Sequence, residues 1–501
     1  MSTNVLAAHI EKVWSLAPAA GAIEYDNFWM DWGALREAAQ DIDKILTEAG
    51  IGAGAPVGVL LRNQPGLLVA LLALLVTDRC LVSLSPFQPD MNLQQDFRTL
   101  KLAAIVGDTR DLSEAARQTA KEAGSLVLVL PEGKLGPVEL AGHKHGEQGA
   151  VDYADFSGTA LEILTSGTTG KPKRIRISTA TMTDSIIDGA TASGRVKELT
   201  LKATPTILFA PLMHVSGMFG ALTSIFEGRP IVLLDKFSVD GWVDAVARYQ
   251  VKFSSLPPTP MRMLLNAGVP KEKLASLIAV RSGTAPLPPE TQRSFEATYG
   301  VPVLIQYGAT EWMGGLAGWT LEDHKKFIAT KLGSVGRPRG DLKMRVIDAE
   351  TGTELPAGEI GILEVLPRQR LGSEAVWSRT TDLASIDQDG FLYIHGRADD
   401  TIIRGGFKVQ LNHVADVLMQ HEAVLEAAVV GLPDERLGQV PVAAIELRPG
   451  MTPPTPEELK AFAQQHLTPY QVPVKFKVTG ALPRTVSMKV SRPDVRALFK
   501  E

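Results

Sequence analysis

The chain has 501 residues, 45% of them hydrophobic and 21% charged, with a formal charge of -5 at neutral pH. That length exceeds one ordinary core and predicts two or three structural units, and the slightly acidic balance gives no basic field for a nucleic-acid partner. The single cysteine, Cys80, lies in an apolar setting and excludes an internal disulfide or a zinc cluster; it reads as a small buried hydrophobe.

Residues 1–14 lack the basic start and apolar core of a signal peptide. The longest apolar run, 67–76, is roughly half of what a membrane span requires, so a cytoplasmic protein is expected. Residues 32–49 have helical spacing, 56–61 read as a short strand and 67–76 as a buried helix, the rhythm of an α/β sheet. A second alternation has strands at 206–209 and 229–234 around an apolar helix near 218–226, which predicts another doubly wound unit. From 333 to 394 shorter strands alternate with turn signals at 348–352, 356–358 and 387–390, the pattern of an antiparallel β unit. The tail combines a helix at 411–421, strands at 424–431 and 439–447, and a helix at 457–466 after Pro453-Pro454-Thr455-Pro456. A glycine and a charged cluster at 396–400 mark the domain boundary, giving 1–397 and 398–501. No internal repeat or low-complexity tract interrupts the chain.

The densest chemical signal is Thr165-Ser166-Gly167-Thr168-Thr169-Gly170-Lys171-Pro172-Lys173. Glycines bring backbone N–H groups close to an anion, hydroxyls add donors and lysines add charge, so the segment is suited to hold phosphate. Its flanks, 161–164 and 174–178, alternate as two strands. A Walker A loop runs into a helix and has Ser or Thr after its lysine; here Pro172 follows Lys171, which excludes that reading.

The segment resembles the phosphate loop of the adenylate-forming superfamily, which includes acyl-CoA ligases, luciferases and peptide-synthetase adenylation domains. Further motifs in the family's order extend the resemblance over nearly the whole chain. The resemblance implies a large N-terminal adenylation domain of two doubly wound α/β subdomains and a β subdomain, followed by a small mobile α+β C-terminal domain. It also implies ATP, Mg²⁺ and coenzyme A as cofactor and co-substrates. The motif Tyr307-Gly308-Ala309-Thr310-Glu311 is similar to the segment in which Tyr307 flanks adenine, Thr310 binds the α-phosphate and Glu311 holds Mg²⁺, for which a carboxylate is an apt ligand. Gly283, Thr284 and Ala285 resemble the stretch lying along the base. Asp382 resembles the acid that accepts from both ribose hydroxyls, although Thr381 stands where the family usually has glycine. Arg397 is similar to the second ribose and phosphate contact, and Asp399 occupies the hinge position.

Near the end, Pro483-Arg484-Thr485-Val486-Ser487-Met488-Lys489 resembles the loop that delivers a catalytic lysine, with Met488 replacing the usual glycine. One ammonium can bridge the attacking carboxylate and the α-phosphate oxygens. His214 lies in a segment similar to that of acyl-CoA and aryl-CoA ligases, where it stands between acid pocket and thiol tunnel; a hydrogen-bonded core histidine is the alternative. That segment, 210–220, offers no acid to pair with a free α-amine, which disfavours an amino-acid substrate. Gly405 and Gly406 resemble the pantetheine channel, and equally suit a plain hairpin turn. His214, Met218, Trp312, Met313, Gly314 and Gly315, with Pro257, Pro258 and Thr259, form a mostly apolar expected acid pocket.

The implied activity is ATP-dependent acid:CoA ligation through an acyl-AMP, on an aryl, arylalkanoic, alicyclic or medium-chain fatty acid, by a monomer or homodimer. The alternatives are an adenylating enzyme that loads a carrier protein, a luciferase-type oxygenase and a non-catalytic protein on the same fold.

Overall fold

The computed structural model describes residues 4–136, 138–141, 153–165, 173–191, 199–366, 376–405, 407–485 and 490–500. These residues form two compact units, one running up to Leu332 and one from Gly333 onward.

The first unit is built on parallel strands with helical crossovers. Its largest sheet has the order Glu139–Ala141, Leu126–Leu130, Ala104–Asp108, Pro56–Leu60, Cys80–Leu84, Thr159–Thr165 and Lys173–Ser178. The inner strands Ala104–Asp108, Pro56–Leu60 and Leu126–Leu130 are parallel and wholly buried, in keeping with their largely apolar runs, the buried Asp108 excepted. The helix Pro65–Val76 is buried from Pro65 to Leu75 and joins a core with Trp14, Trp32 and Leu222. A second sheet sets Thr206–Leu208 and Ile231–Leu233 parallel to Gly21–Tyr25, a strand from near the start of the chain. A third runs Phe253–Ser255, Ala279–Ser282 and Val303–Ala309 in parallel, and Gly314–Gly318 turns back antiparallel to the last.

The second unit opens with the antiparallel sheet Lys343–Ile347, Gly361–Leu366, Ser378–Ile386 and Leu392–Arg397. Its turns carry the expected aspartates: the Asp348 carboxylate accepts from the Glu350 and Thr351 amides, and that of Asp387 from the Asp389 and Phe391 amides. A further sheet pairs Thr401–Arg404 with Phe407–Gln410 and Val424–Asp434 with Gly438–Leu447, and Lys475–Thr479 adds a parallel strand. Alternate residues of its central strands serve opposite faces. Ala427, Val429, Ala443 and Ile445 pack with the helices Leu411–Leu418 and Pro456–His466, while Ala428, Val430, Val442 and Ala444 pack with Leu482 and Val495. Both clusters draw only on residues from Ile402 onward.

No helix among the described residues is long and apolar enough to cross a membrane.

Glu296, on the helix Pro289–Tyr299, anchors the strand Val303–Ala309. Its Oε1 accepts from the Val303 amide at 2.9 Å and from Gln292 Nε2 at 3.2 Å, and lies 2.8 Å from His324 Nε2. Burial pushes the carboxyl up, but hydrogen bonds from His324, the Val303 amide and Gln292 outweigh it and hold the group below the ordinary glutamate value. A carboxyl depressed in the folded state contributes stability above its unfolded pKa, and loses it as pH falls through the folded one. Glu296→Gln is therefore expected to destabilise the protein by roughly 1–3 kcal/mol near neutral pH, the range for hydrogen bonds to a charged group. Urea unfolding of parent and variant across pH should show the difference shrinking below about pH 4; a constant difference contradicts the role given to the charge.

Candidate active site

The strands on either side of the phosphate-type segment lie at one edge of the largest sheet. Thr159–Thr165 and Lys173–Ser178 pair antiparallel, with Thr165 opposite Lys173, so the two sequence-predicted flanking strands are present. Ser166, Gly167, Thr168, Thr169 and Gly170 lie outside the described residues. Below the loop, Arg176 Nε meets the buried Glu162 carboxylate at 2.8 Å, and Arg174 approaches it at 3.7 Å while donating to the Ser83 carbonyl at 3.3 Å.

Two nucleotide-type motifs lie side by side in the third sheet. Ser282 is opposite Ile305 in parallel register, and beyond it a Cβ on Gly283 would stand 3.2 Å from the Gln306 carbonyl oxygen, immediately before Tyr307. Thr284 has φ of +69°, a conformation that a β-branched residue rarely takes and that concentrates at functional sites. After a bulge between Tyr307 and Gly308, the chain makes the tight turn Thr310–Trp312 and returns. A Cβ on Gly308 would lie 2.3 Å from the Gly314 carbonyl oxygen, so this return admits only glycine there. Met313 takes φ of +49° to reverse the chain, and Ser185 Oγ holds the Trp312 carbonyl at 2.8 Å. Thr310 is half-buried and Glu311 exposed on that turn.

His214, half-buried, precedes the helix Val215–Phe226. Gly217 permits the sharp entry, since a Cβ there would lie 2.2 Å from the Pro211 carbonyl oxygen. Met218 and Met313 are fully buried in the core. Phe219 is partly exposed: its ring lies where a Cβ on Gly189 would fall, at 2.5 Å, and where one on Gly314 would touch, at 3.8 Å, beside Ser185. Ser185, Gly189 and Phe219 thus join Gly314 in one wall that motif reading missed. The available signal was Gly189, a glycine inside the helix Thr179–Thr191.

In the second unit, Asp382 and Arg397 are direct cross-strand partners on Ser378–Ile386 and Leu392–Arg397. The Thr381 hydroxyl accepts a hydrogen bond from the Arg397 guanidinium, and Thr380 Oγ1 accepts from the Asp382 amide at 3.0 Å. The turn Ala398–Asp400 follows, carrying Asp399. Gly405, with φ of +56°, sits in the two-residue connection between Thr401–Arg404 and Phe407–Gln410; Gly406 and Lys489 lie outside the described residues.

The model of the AMP-binding enzyme family matches residues 10–366, and that of the AMP-binding enzyme C-terminal domain matches residues 413–489. The chain belongs to the AMP-binding enzyme family. A curated relative, the sulfoacetate–CoA ligase of Cupriavidus necator, is 30% identical and the alignment covers 96% of this chain and 94% of that protein. The 2-succinylbenzoate–CoA ligase of Bacillus velezensis is 28% identical over 97% of this chain and 96% of its own. Among solved structures, the amide bond synthetase of Marinactinospora thermotolerans is 26% identical with a TM-score of 0.76, covering 99% of this chain and 100% of that one. The o-succinylbenzoate CoA synthetase of Bacillus subtilis, bound to its acyl-adenylate, has a TM-score of 0.77 at 24% identity, covering 97% of both chains, and shares the fold. The expectation of an AMP-forming acyl-CoA synthetase of the adenylate-forming superfamily is borne out.

Where Arg397 contacts the bound nucleotide, as the family resemblance implies, the contact between Thr381 and Arg397 has a measurable consequence. Thr381→Val should raise the KM for ATP by roughly threefold to tenfold, the scale of one hydrogen bond. Thr381→Ser should stay near the parent, and steady-state kinetics with ATP varied will decide; an unchanged KM in the valine variant removes the role.

Proposed function

We propose that this chain is a cytoplasmic carboxylic acid:CoA ligase that joins an acid to the α-phosphate of ATP, releases pyrophosphate and passes the acyl group to a thiol. The observation that carries it is the 30% identity with a named acid–CoA ligase across 96% of the chain. The motifs for both half-reactions support it.

In this reading the segment from Thr165 to Lys173 holds the departing pyrophosphate, Tyr307 flanks the adenine, and Gly283, Thr284 and Ala285 lie along the base. Thr310 binds the α-phosphate. Asp382 accepts from the ribose hydroxyls and Arg397 adds a charge-assisted contact. An exposed carboxylate such as Glu311 suits Mg²⁺, an ion that keeps several waters and takes one or two protein carboxylates with substrate phosphates, and no group of three or more metal-ligating side chains occurs among the described residues. When bound, that ion would neutralise charge on the phosphates. Lys489 screens the attacking carboxylate and the α-phosphate together. His214 stands between acid and thiol, Gly405 and Gly406 line the pantetheine path, and residues 398–501 turn about Asp399 between the two steps.

The acid pocket draws its walls from His214, Trp312 and Gly314 together with Ser185, Gly189 and Phe219, a lining without an ionisable group other than the histidine. That lining supports an aryl, arylalkanoic, alicyclic or medium-chain fatty acid. A second reading, an acid with another anionic group, is favoured by the substrates in the relatives' names, sulfoacetate and 2-succinylbenzoate. Pyrophosphate release from a panel containing both kinds of acid separates the readings. Formation of ADP and orthophosphate instead of AMP and pyrophosphate refutes adenylation, and absence of free acyl-CoA after CoA is added points to a carrier-protein thiol as acceptor.

Lys489→Ala should slow acid-dependent pyrophosphate release by on the order of 10²- to 10³-fold, the scale for a preorganised electrostatic group. Thioester formation from supplied acyl-AMP should persist. Equal loss in both half-reactions rules out the assignment of that lysine.

A further inference from the structure

Three side chains from separate parts of the second unit close a ring beside the hinge position. Asn412 Nδ2 donates to Asp400 Oδ2 at 3.2 Å, Arg492 Nη2 donates to Asn412 Oδ1 at 2.7 Å, and Arg492 Nη1 is ion-paired with Asp400 Oδ1. The Asp400 side chain is only 7% exposed. A carboxylate so far from water demands full pairing, and the ring supplies a bidentate arrangement of charged and neutral donors. Each member has a telling place in the chain. Asp400 follows the hinge residue Asp399, Asn412 stands in the first turn of the helix Leu411–Leu418, and Arg492 opens the helix Arg492–Ala497, three residues after Lys489. Asn412 also faces the other side of the hinge: a Cβ on Gly396 would lie 3.7 Å from its Nδ2, and Gly396 has φ of +117°.

The two ends of the segment bearing Lys489 are seated on the same body. Arg484 and Val490 form an antiparallel bridge, the Ser491 amide donates to the Pro483 carbonyl at 2.7 Å, and the Leu482 amide donates to Glu446 Oε2 at 2.8 Å. Leu482 and Val495 pack on one face of the central sheet with Val490 against them. Packing therefore fixes the loop base along the sheet, and the polar ring fixes the outgoing strand end against the hinge segment.

We infer that Asp400, Asn412 and Arg492 form a positioning clasp that ties the base of the Lys489 loop to the hinge, so that a turn about Asp399 carries the lysine rigidly into the adenylation geometry. The inference rests on the ligase reading given under Proposed function. The clasp touches no substrate. Its effect lies in the step that uses the lysine, where a misplacement of about 1 Å costs up to about 10²-fold in rate.

The test compares parent, Arg492→Met and Arg492→Lys in the two half-reactions, with thermal unfolding as a check of folding. Arg492→Met should lower kcat for acid-dependent pyrophosphate release by roughly 10- to 10²-fold, with KM for ATP and acid within about twofold. Thioester formation from supplied acyl-AMP should change by less than about twofold, and Arg492→Lys should recover much of the adenylation rate. Parallel loss in both half-reactions, or unimpaired adenylation, overturns the clasp. If Arg492→Met does not fold, Asn412→Ala, which keeps the ion pair, should show the same split to a smaller extent, and an equal effect on both steps again overturns it. A parent that adenylates no acid refutes the ligase reading and not the clasp. Hydrogen exchange at amides 484–491 then decides: faster exchange there in Arg492→Met supports the clasp and unchanged exchange removes it.

Discussion

The return of the strand Val303–Ala309 upon itself is possible only because the backbone at Gly308 and Gly314 meets with no side chain between. A Cβ on Gly308 would lie 2.3 Å from the Gly314 carbonyl oxygen, well inside any tolerable contact. That closeness defines the turn Thr310–Trp312 and hence the direction in which Thr310 and Glu311 leave the backbone. The same device recurs at Gly217, where a Cβ would lie 2.2 Å from the Pro211 carbonyl oxygen, while one on Gly283 would make a tight but less forbidding approach of 3.2 Å to that of Gln306. The chain paths at Gly217 and Gly308 are thus set by main chain packed on main chain. In the ligase reading, few rotatable bonds then separate the scaffold from Thr310 and Glu311, which is the condition for preorganised electrostatics.

Charge follows the same economy. The arginines nearest the phosphate-type segment, Arg174 and Arg176, are already committed to the buried Glu162. Glu162 and both arginines belong to one strand pair, so these contacts tie Thr159–Thr165 to Lys173–Ser178, while the Arg174 bond to the Ser83 carbonyl reaches the neighbouring strand Cys80–Leu84. In the ligase reading, the segment's own lysines and backbone N–H groups therefore meet the departing pyrophosphate, while Arg397, Lys489 and Mg²⁺ serve the rest of the nucleotide, in a chain whose net charge is -5.

Much of this was legible in the sequence, for local reasons. The run 67–76 read as a buried helix because it is apolar all round, and the flanks of the phosphate-type segment read as strands because they alternate. Asp348 and Asp387 announced turns that their carboxylates indeed cap. Relations between distant positions left no such mark. Nothing near Gly21–Tyr25 says that it pairs with Ile231–Leu233, and nothing near Asp382 says that Arg397 stands opposite; that pairing depends on a register shift between Leu383 and Ala384. Phe219 escaped notice because a glycine inside a helix advertises space without naming the side chain that fills it.

Thr381 shows how a departure from a family pattern can be read physically. Glycine is required where φ is positive or where another backbone comes too close. Thr381 lies within the strand Ser378–Ile386 and is not among the residues of positive φ, so its backbone makes no such demand. A β-branched residue is instead favourable in a strand. Its hydroxyl then acquires a partner that glycine lacks, the Arg397 guanidinium, whose backbone sits across from Asp382. The substitution therefore removes nothing that the strand needs and adds a hydrogen bond that restricts the arginine beside the acid.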